Sequence, residues 1–315
     1  MFIHDYVKLN GIEHFTVVYE AEEKEAKPVL LYVHGGPGLS ESLFAWNYRL
    51  YTGNDLNLVF YDMRGAGRTF AKNPDLVPTE EEIEADLEAM VAYVTERFGK
   101  KPVLLARNYG TIPAIRLARK HPEKLCCYIG YQQVTNGPKT NEIRFARVRE
   151  LAERSHRRLD LRKVDKIEKL TGGTFDKALL TGRQLTSCNT LLDKYNVSTG
   201  MDKNLLKMLP KSPLYDMSDI KLMMNSPKQS RKLGQTLKST NLYEEGMEFA
   251  LPMFFISGNW DYTYPYTMVE EYYGKILAPK KQFKLLEDIG ANAMTENGTE
   301  FWNGIRELIA AADGE

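Results

Sequence analysis

The chain has 315 residues, with 42 Lys plus Arg balanced by 42 Asp plus Glu, so no net field points to nucleic acid or an acidic membrane as the main partner. Its length suffices for one large α/β domain or a domain with an insertion. Cys126, Cys127 and Cys188 are an odd count with two adjacent, and neither a basic leader followed by an apolar run nor a membrane-length apolar stretch is present, so a soluble cytoplasmic protein is expected.

The N-terminal stretch to about Glu20 reads as a polar hairpin. Apolar runs bounded by turn residues then recur at 29–33, 56–61, 103–105, 127–129 and 253–256, with a sixth at 283–286. Segments of helical period lie between several of them, which predicts a mostly parallel sheet covered by helices. Thr79 with Glu82 three residues on forms a capping box, and Ile83, Leu87, Met90, Val91, Val94 and Phe98 follow at helical spacing, up to Gly99. From 138 to 248 the sequence turns charged and helical without strand-like runs, and the strand rhythm returns at Leu251. The expected division is therefore a first core part at 1–137, an inserted helical cap at 138–248 and a second core part at 249–315. Arg144, Arg147, Arg149, Arg154, Arg157 and Arg158 crowd one predicted helix, and nearby Glu142, Glu150, Glu153 and Asp160 favour a solvated, paired face over an anion surface.

The chemical motifs sit after the strands. His34-Gly35-Gly36-Pro37-Gly38 follows the first core strand, where glycines let backbone N–H groups approach a ligand closely. The loop Asp62-Met63-Arg64-Gly65-Ala66-Gly67-Arg68-Thr69 follows the next, and reads as a sharp loop pinned by Asp62 and Arg64. A third strand runs into Ala106-Arg107-Asn108-Tyr109-Gly110.

With Tyr128 to Val134 and the segment from Ser257 to Pro265, these motifs resemble the proline iminopeptidase branch of the α/β-hydrolase superfamily, in the right order over essentially the whole chain. The resemblance implies an α/β-hydrolase fold: an eight-stranded, mostly parallel sheet flanked by helices, with a helical lid after the sixth strand. It also implies an ancestral hydrolysis of amides or esters, often at the N-terminal residue of short peptides. Carried over by position, Asp261 falls on the acid and Gly110 keeps the elbow's second glycine, while Ala106 replaces the first. The nucleophile's place holds Asn108, preceded by Arg107 where histidine is frequent, and Ala291 stands where the late histidine belongs. Gly35, Gly36, Tyr109 and Trp260 are the expected oxyanion or ligand-pocket residues, with Trp46 and the cap completing the lining. No metal and no cofactor is implied.

This fold presents its triad in the chain order nucleophile, acid, histidine. The five histidines are His4, His14, His34, His121 and His156, so none follows Asp261 and no local realignment supplies a base. A carboxamide at 108 has no ionisable proton and is a poor nucleophile. In subtilisin, loss of the serine or the histidine alone costs about 10⁶ in kcat. Asparagine is nonetheless enriched among non-glycine residues at positive φ, so it can keep a strained turn while discarding the chemistry. Because both the elbow and the late loop depart, natural divergence explains the pattern better than an engineered single change.

Without its histidine, Asp261 needs another partner, a proton or water, and Arg107 is the candidate partner. Two functions follow. One is a non-hydrolytic or very weakly active member binding a small molecule or short peptide under the lid. The other is an enzyme with a non-standard set, drawing on Asp261, Tyr109, Glu244, Glu245 or Glu248.

Overall fold

In the computed structural model, which describes residues 2–173, 183–195, 207–223, 226, 230 and 232–313, the polar N-terminal stretch forms the expected hairpin. Strand β1 (Phe2–Leu9) turns through Asn10-Gly11 into β2 (Ile12–Tyr19), and the two pair antiparallel. The apolar runs become β3 (Val29–Val33), β4 (Asn57–Tyr61), β5 (Val103–Arg107), β6 (Cys127–Tyr131), β7 (Met253–Gly258) and β8 (Lys281–Leu286). Every residue of β3 to β7 is buried, as continuous apolar runs require when both faces of a parallel sheet are covered.

All eight strands join one sheet in the order β1-β2-β4-β3-β5-β6-β7-β8. β2 meets β4 antiparallel, and every pair from β4 to β8 is parallel. Val33 lies beside Ala106, Arg107 beside Tyr131, and Tyr131 beside Ile256, so the loops leaving β3, β5, β6 and β7 emerge together at one edge. Open α/β sheets bind ligands at that edge.

One face of the sheet packs on helices Glu80–Phe98, Thr111–Lys120 and Tyr266–Lys275; the other packs on Ala45–Thr52 and Gly298–Asp313. Thr79 and Glu82 form the predicted capping box in full, and the helix they start ends at Gly99.

Between β6 and β7 the described residues are helical and contain no strand. The helices Gly137–Arg154, Arg158–Thr171 and Arg183–Lys194 pack around Phe145, Val148, Val164, Ile167, Leu191 and Leu192. The segment's two ends are zipped together: Gly137 N–H donates to Thr240 O and Leu242 N–H to Thr135 O, each at 2.8 Å. Parts of the expected insertion at 174–182, 196–206, 224–225, 227–229 and 231 lie outside the described residues.

The arginine-rich stretch differs from its expectation. It is two helices, broken at Ser155–Arg157, where His156 takes φ +52°. Arg147 and Arg154 pair with Glu150, and Arg149 pairs with Glu153, Asp165 and Glu168. The mixed-charge face is therefore largely self-neutralised, although Asp160 pairs with Lys194 instead.

Candidate functional site

β5 ends at Arg107, the chain turns sharply through Asn108-Tyr109-Gly110, and the helix Thr111–Lys120 begins at once. Asn108 sits at φ +51°, a left-handed conformation that asparagine tolerates better than most side chains. A Cβ on Gly110 would lie 2.5 Å from His34 O and 2.6 Å from Val33 O, so the elbow can press against the end of β3 only with glycine there. The β3 loop crosses close to the turn in return: a Cβ on Gly35 would lie 3.1 Å from Asn108 Cβ. His34 accepts from Met63 N–H at Nε2 (3.0 Å), leaving Nδ1–H to donate to Gly35 O (2.6 Å), so the imidazole fastens two loops together. Gly36, at φ +132°, precedes Pro37 through a cis peptide bond.

The Asn108 carboxamide is held by its oxygen. Oδ1 accepts from Tyr109 N–H at 2.5 Å and from Tyr264 Oη at 3.0 Å. Nδ2 has no hydrogen-bond partner among the described residues, and Asn108 is half-buried. The backbone donor expected to face a ligand is thus engaged by the neighbouring side chain. The Tyr109 ring points away from the site, into the core with Ile83 and Ile112.

Asp261, 2% exposed, lies in the turn after β7. Its Oδ1 accepts from Thr263 N–H (2.8 Å) and Tyr264 N–H (3.1 Å), and its Oδ2 accepts from Gln132 Nε2 (3.0 Å). Burial raises the carboxyl above its ordinary range, and these donors together with the Arg107 charge only partly offset that push. Tyr264 joins the two halves of the site, giving its N–H to Asp261 and its hydroxyl to Asn108.

Arg107 is not directly bonded to Asp261, which corrects the simplest expectation for this pair. Gln132, held at φ +51° just past β6, stands between them. Its Oε1 accepts from Arg107 Nε at 2.7 Å while its Nε2 serves Asp261. The rest of the guanidinium bonds Glu41 Oε1 (3.1 Å), Asn292 Oδ1 (2.7 Å) and Ala291 O (3.3 Å), and it lies 5.2 Å from the centre of the Tyr131 ring. Burial opposes the Arg107 charge, but Glu41 foremost among its neighbours outweighs it and the group is held well above its usual range. Glu41 in turn accepts from Tyr32 Oη. Ala291 enters this network through its carbonyl, which also accepts from Tyr131 Oη at 2.7 Å.

The arrangement therefore brings together Asn108, Asp261, Gly35 and Ala291 with three residues sequence reasoning did not single out: Gln132, Glu41 and Tyr264. Trp260 directly precedes Asp261 and is 55% exposed, and Trp46 packs, partly buried, against the core cluster that includes Tyr48. Among the acidic alternatives, Glu245 is committed to Arg116 and Arg119, and Glu244 accepts from Asn241. Glu248 forms a backbone bridge to Leu277 ahead of β7 and β8, at the opposite edge of the sheet from the elbow. Asp62 accepts from Ser40, Ser42, Tyr215 and Arg68 N–H, and Arg64 pairs with Asp86, so both pin the loop after β4. No cluster of three or more metal-ligating side chains occurs, and no helix is long and apolar enough to cross a membrane, among the described residues.

A strand–turn–helix elbow at the edge of a mostly parallel eight-stranded sheet, followed by an acid turn after β7, is the hydrolase framework, and a model of the α/β-hydrolase fold matches residues 28–297. The chain belongs to the α/β-hydrolase family. Its relatives lie in the proline iminopeptidase-like branch expected from the motifs. It is 22% identical over 284 residues to "Probable aminopeptidase YbaC" of Bacillus subtilis (strain 168), covering 88% of this chain and 87% of that protein. A proline iminopeptidase-related protein of Thermus thermophilus superimposes with a TM-score of 0.63 at 19% identity, over 99% of this chain and 98% of that one. The proline iminopeptidase of Mycobacterium smegmatis gives 0.61 at 15% identity, over 99% of both chains. At these identities the structural likeness concerns the α/β-hydrolase fold itself.

Proposed function

We infer that this α/β-hydrolase is a non-hydrolytic or very weakly hydrolytic member of its family, which binds a small molecule or short peptide beneath a helical cap formed by residues 138–248. The observation that carries the reading is the Asn108 carboxamide turned onto Tyr109 N–H at 2.5 Å. In an active member that N–H would receive the oxyanion of the tetrahedral intermediate. Here a side chain with no ionisable proton occupies the nucleophile's place and also satisfies the oxyanion donor.

The surroundings support the same reading. No histidine follows Asp261 in the sequence, and Gln132 holds the carboxylate from the β6 side. A carboxamide neither accepts nor releases a proton near neutral pH, so Gln132 fixes Asp261 without serving as a base. Of the acidic residues that would provide another route, Glu244 and Glu245 are spent on side-chain partners and Glu248 lies at the far edge of the sheet. The exposed part of the Asn108 amide is a donor suited to a ligand oxygen. Cysteines that form no disulfide suit a cytoplasmic location, and the balanced charge suits neither nucleic acid nor a membrane as partner.

The test is turnover of a panel of aminoacyl p-nitroanilides and short-chain p-nitrophenyl esters, run beside a thermal-shift screen with dipeptides. Rates at the buffer background with a ligand-dependent rise in Tm fit the proposal, since a ligand at 100 times its Kd stabilises by about 2.7 kcal/mol. Turnover well above background contradicts it.

A further inference from the structure

At the elbow a carboxamide and a main-chain nitrogen are folded onto one another. Asn108 Oδ1 accepts from Tyr109 N–H at 2.5 Å, so the carboxamide carbon that carries this oxygen stands beside the same nitrogen. Cγ, Cβ, Cα and the main-chain carbonyl carbon of Asn108, together with Tyr109 N, are the five atoms of a succinimide ring. Tyr109 N–H has no other acceptor among the described residues. It lies in the turn that runs straight into the helix Thr111–Lys120. The first N–H groups of a helix have no acceptor within it, and its positive end favours negative charge nearby. Freeing this nitrogen therefore breaks no helical hydrogen bond.

The other groups around the carboxamide suit the same ring closure. Tyr264 Oη donates to Oδ1 at 3.0 Å, the atom on which negative charge gathers when a nitrogen adds to Cγ. Tyr264 is 6% exposed and is itself fixed through its N–H on Asp261 Oδ1 at 3.1 Å, so the donor is in place before charge develops. Nδ2, the leaving nitrogen, has no hydrogen-bond partner among the described residues to hold it. Asn108 is half-buried, which lets ammonia out and water in.

We propose that Asn108–Tyr109 is a self-modifying site, at which the fold promotes cyclisation of Asn108 and its conversion to aspartate. This goes beyond the ligand-binding reading above and does not require it. The carboxamide turns so that Tyr109 N, giving up its proton, bonds to Cγ. The Cγ–Nδ2 bond then breaks, and Nδ2 leaves as ammonia with that proton. Water next adds across the new N–Cγ bond, its hydroxyl to Cγ and its other hydrogen to the nitrogen, which restores the peptide and leaves a carboxylate. The balance is one water taken up and one ammonia released, with no change of oxidation state. The carboxylate keeps Tyr109 N–H and Tyr264 Oη on one oxygen, and both bonds become charge-assisted at a helix N-terminus. Its second oxygen replaces the Nδ2 donor by an acceptor, so the modified elbow would favour a ligand N–H or cation where the unmodified one favours a ligand oxygen.

The chain carries its own controls in the Asn-Gly pairs at Asn10, Asn136, Asn297 and Asn303. A following glycine lets the nitrogen approach freely, whereas the tyrosine after Asn108 crowds it, so in an unfolded chain the Asn-Gly pairs should cyclise faster than Asn108. In the fold their carboxamides are tied to Asp86, Asn241, Glu300 and Arg306. The test is peptide mapping by mass spectrometry during incubation in mildly alkaline buffer, for the folded protein and for the chain denatured in guanidinium chloride. Peptides of Asn108→Asp serve as the standard for the product. The expected result is conversion at Asn108 about tenfold or more faster in the folded protein than in the denatured chain, as held reactants require, with the order reversed at the Asn-Gly pairs. A species lighter by one ammonia at Asn108 would be the ring itself. Tyr264→Phe, which keeps the ring but removes the hydroxyl, should slow conversion at Asn108 by about tenfold or more and leave the Asn-Gly pairs unchanged. Asn108 left intact in the folded protein, or converted no faster there than in the denatured chain, overturns the proposal whether or not the variant folds. An unchanged rate in folded Tyr264→Phe overturns the part given to the phenol.

Discussion

Gln132 donates from Nε2 to Asp261 Oδ2 at 3.0 Å. The same carboxamide accepts from Arg107 Nε at 2.7 Å, so a buried anion and a buried cation are joined through a neutral amide. Each charge keeps a polar partner although the two do not touch. Gln132→Leu would remove both bonds while filling a similar volume. It should destabilise the protein by about 3 kcal/mol, because two buried charged groups then each lose a hydrogen-bond partner. Urea denaturation of the variant beside the wild type gives the value, and a loss under about 0.5 kcal/mol, the usual bound for an inconsequential substitution, would show that the bridge does not matter.

Arg107 gathers Glu41, Gln132, Asn292 and the carbonyl of Ala291 around one guanidinium. Arg107→Met should cost about 3–5 kcal/mol, since it leaves Glu41 as a largely buried anion without its cation. The double variant Arg107→Met, Glu41→Gln should recover part of that loss. Chemical denaturation of the three variants provides the cycle, and strict additivity would deny the coupling.

The left-handed turn at 108 makes a separate prediction. Asn108→Gly should leave stability nearly unchanged, whereas Asn108→Ala should cost about 1–2 kcal/mol relative to glycine, because Cβ crowds the backbone at φ +51°. Equal melting temperatures for the two variants would mean that the turn relaxes.

The pH dependence separates two buried carboxylates. Burial raises Asp261, so the folded state holds that proton more tightly than the unfolded chain does. Its contribution is therefore most favourable below the ordinary carboxylate value of about 3.9 and is lost as pH rises through the raised folded value. Asp86 goes the other way. Burial works against its charge, but hydrogen bonds led by those from His14 and Arg64 prevail and lower it. Its stabilisation is present above about 3.9 and is lost as pH falls through the depressed value. Comparing stability against pH for Asp261→Asn and Asp86→Asn with the wild type should give difference curves of opposite slope. Curves of the same slope would reverse one assignment.

Restoring the chemistry probes the same relationship. Asn108→Ser and Ala291→His should each leave esterase activity at background, since triad members act as a unit. The pair should raise it, and adding Gln132→Ala should raise it further by freeing Asp261 Oδ2 for an imidazole N–H. A single variant as active as the triple would show that another group already serves as base.

The fold was largely legible because its signals are local. The runs at 29–33, 103–105 and 253–256 are apolar on both faces, and Thr79 with Glu82 announces a helix within one turn. The positions of Asn108, Asp261 and Ala291 could be read from motifs lying directly after strands. Their partners could not, because the bonds that define the site join distant segments: Arg107 reaches Gln132 across 25 residues, Glu41 across 66 and Asn292 across 185. An arginine inside an otherwise apolar strand was the one signal that a buried acceptor set exists, without naming it. Trp260 shows the converse limit, since a motif fixes a residue's place on a loop and not the direction of its ring, here 55% exposed.

The central claim is that the elbow at Asn108 no longer performs covalent hydrolysis. Intact-mass spectrometry after incubation with a fluorophosphonate tests it most directly, because the reagent labels an activated serine irrespective of substrate preference. The account predicts a spectrum without an adduct and p-nitrophenyl ester turnover at the buffer background. Stoichiometric phosphonylation of the folded protein, with turnover abolished in step, would contradict it.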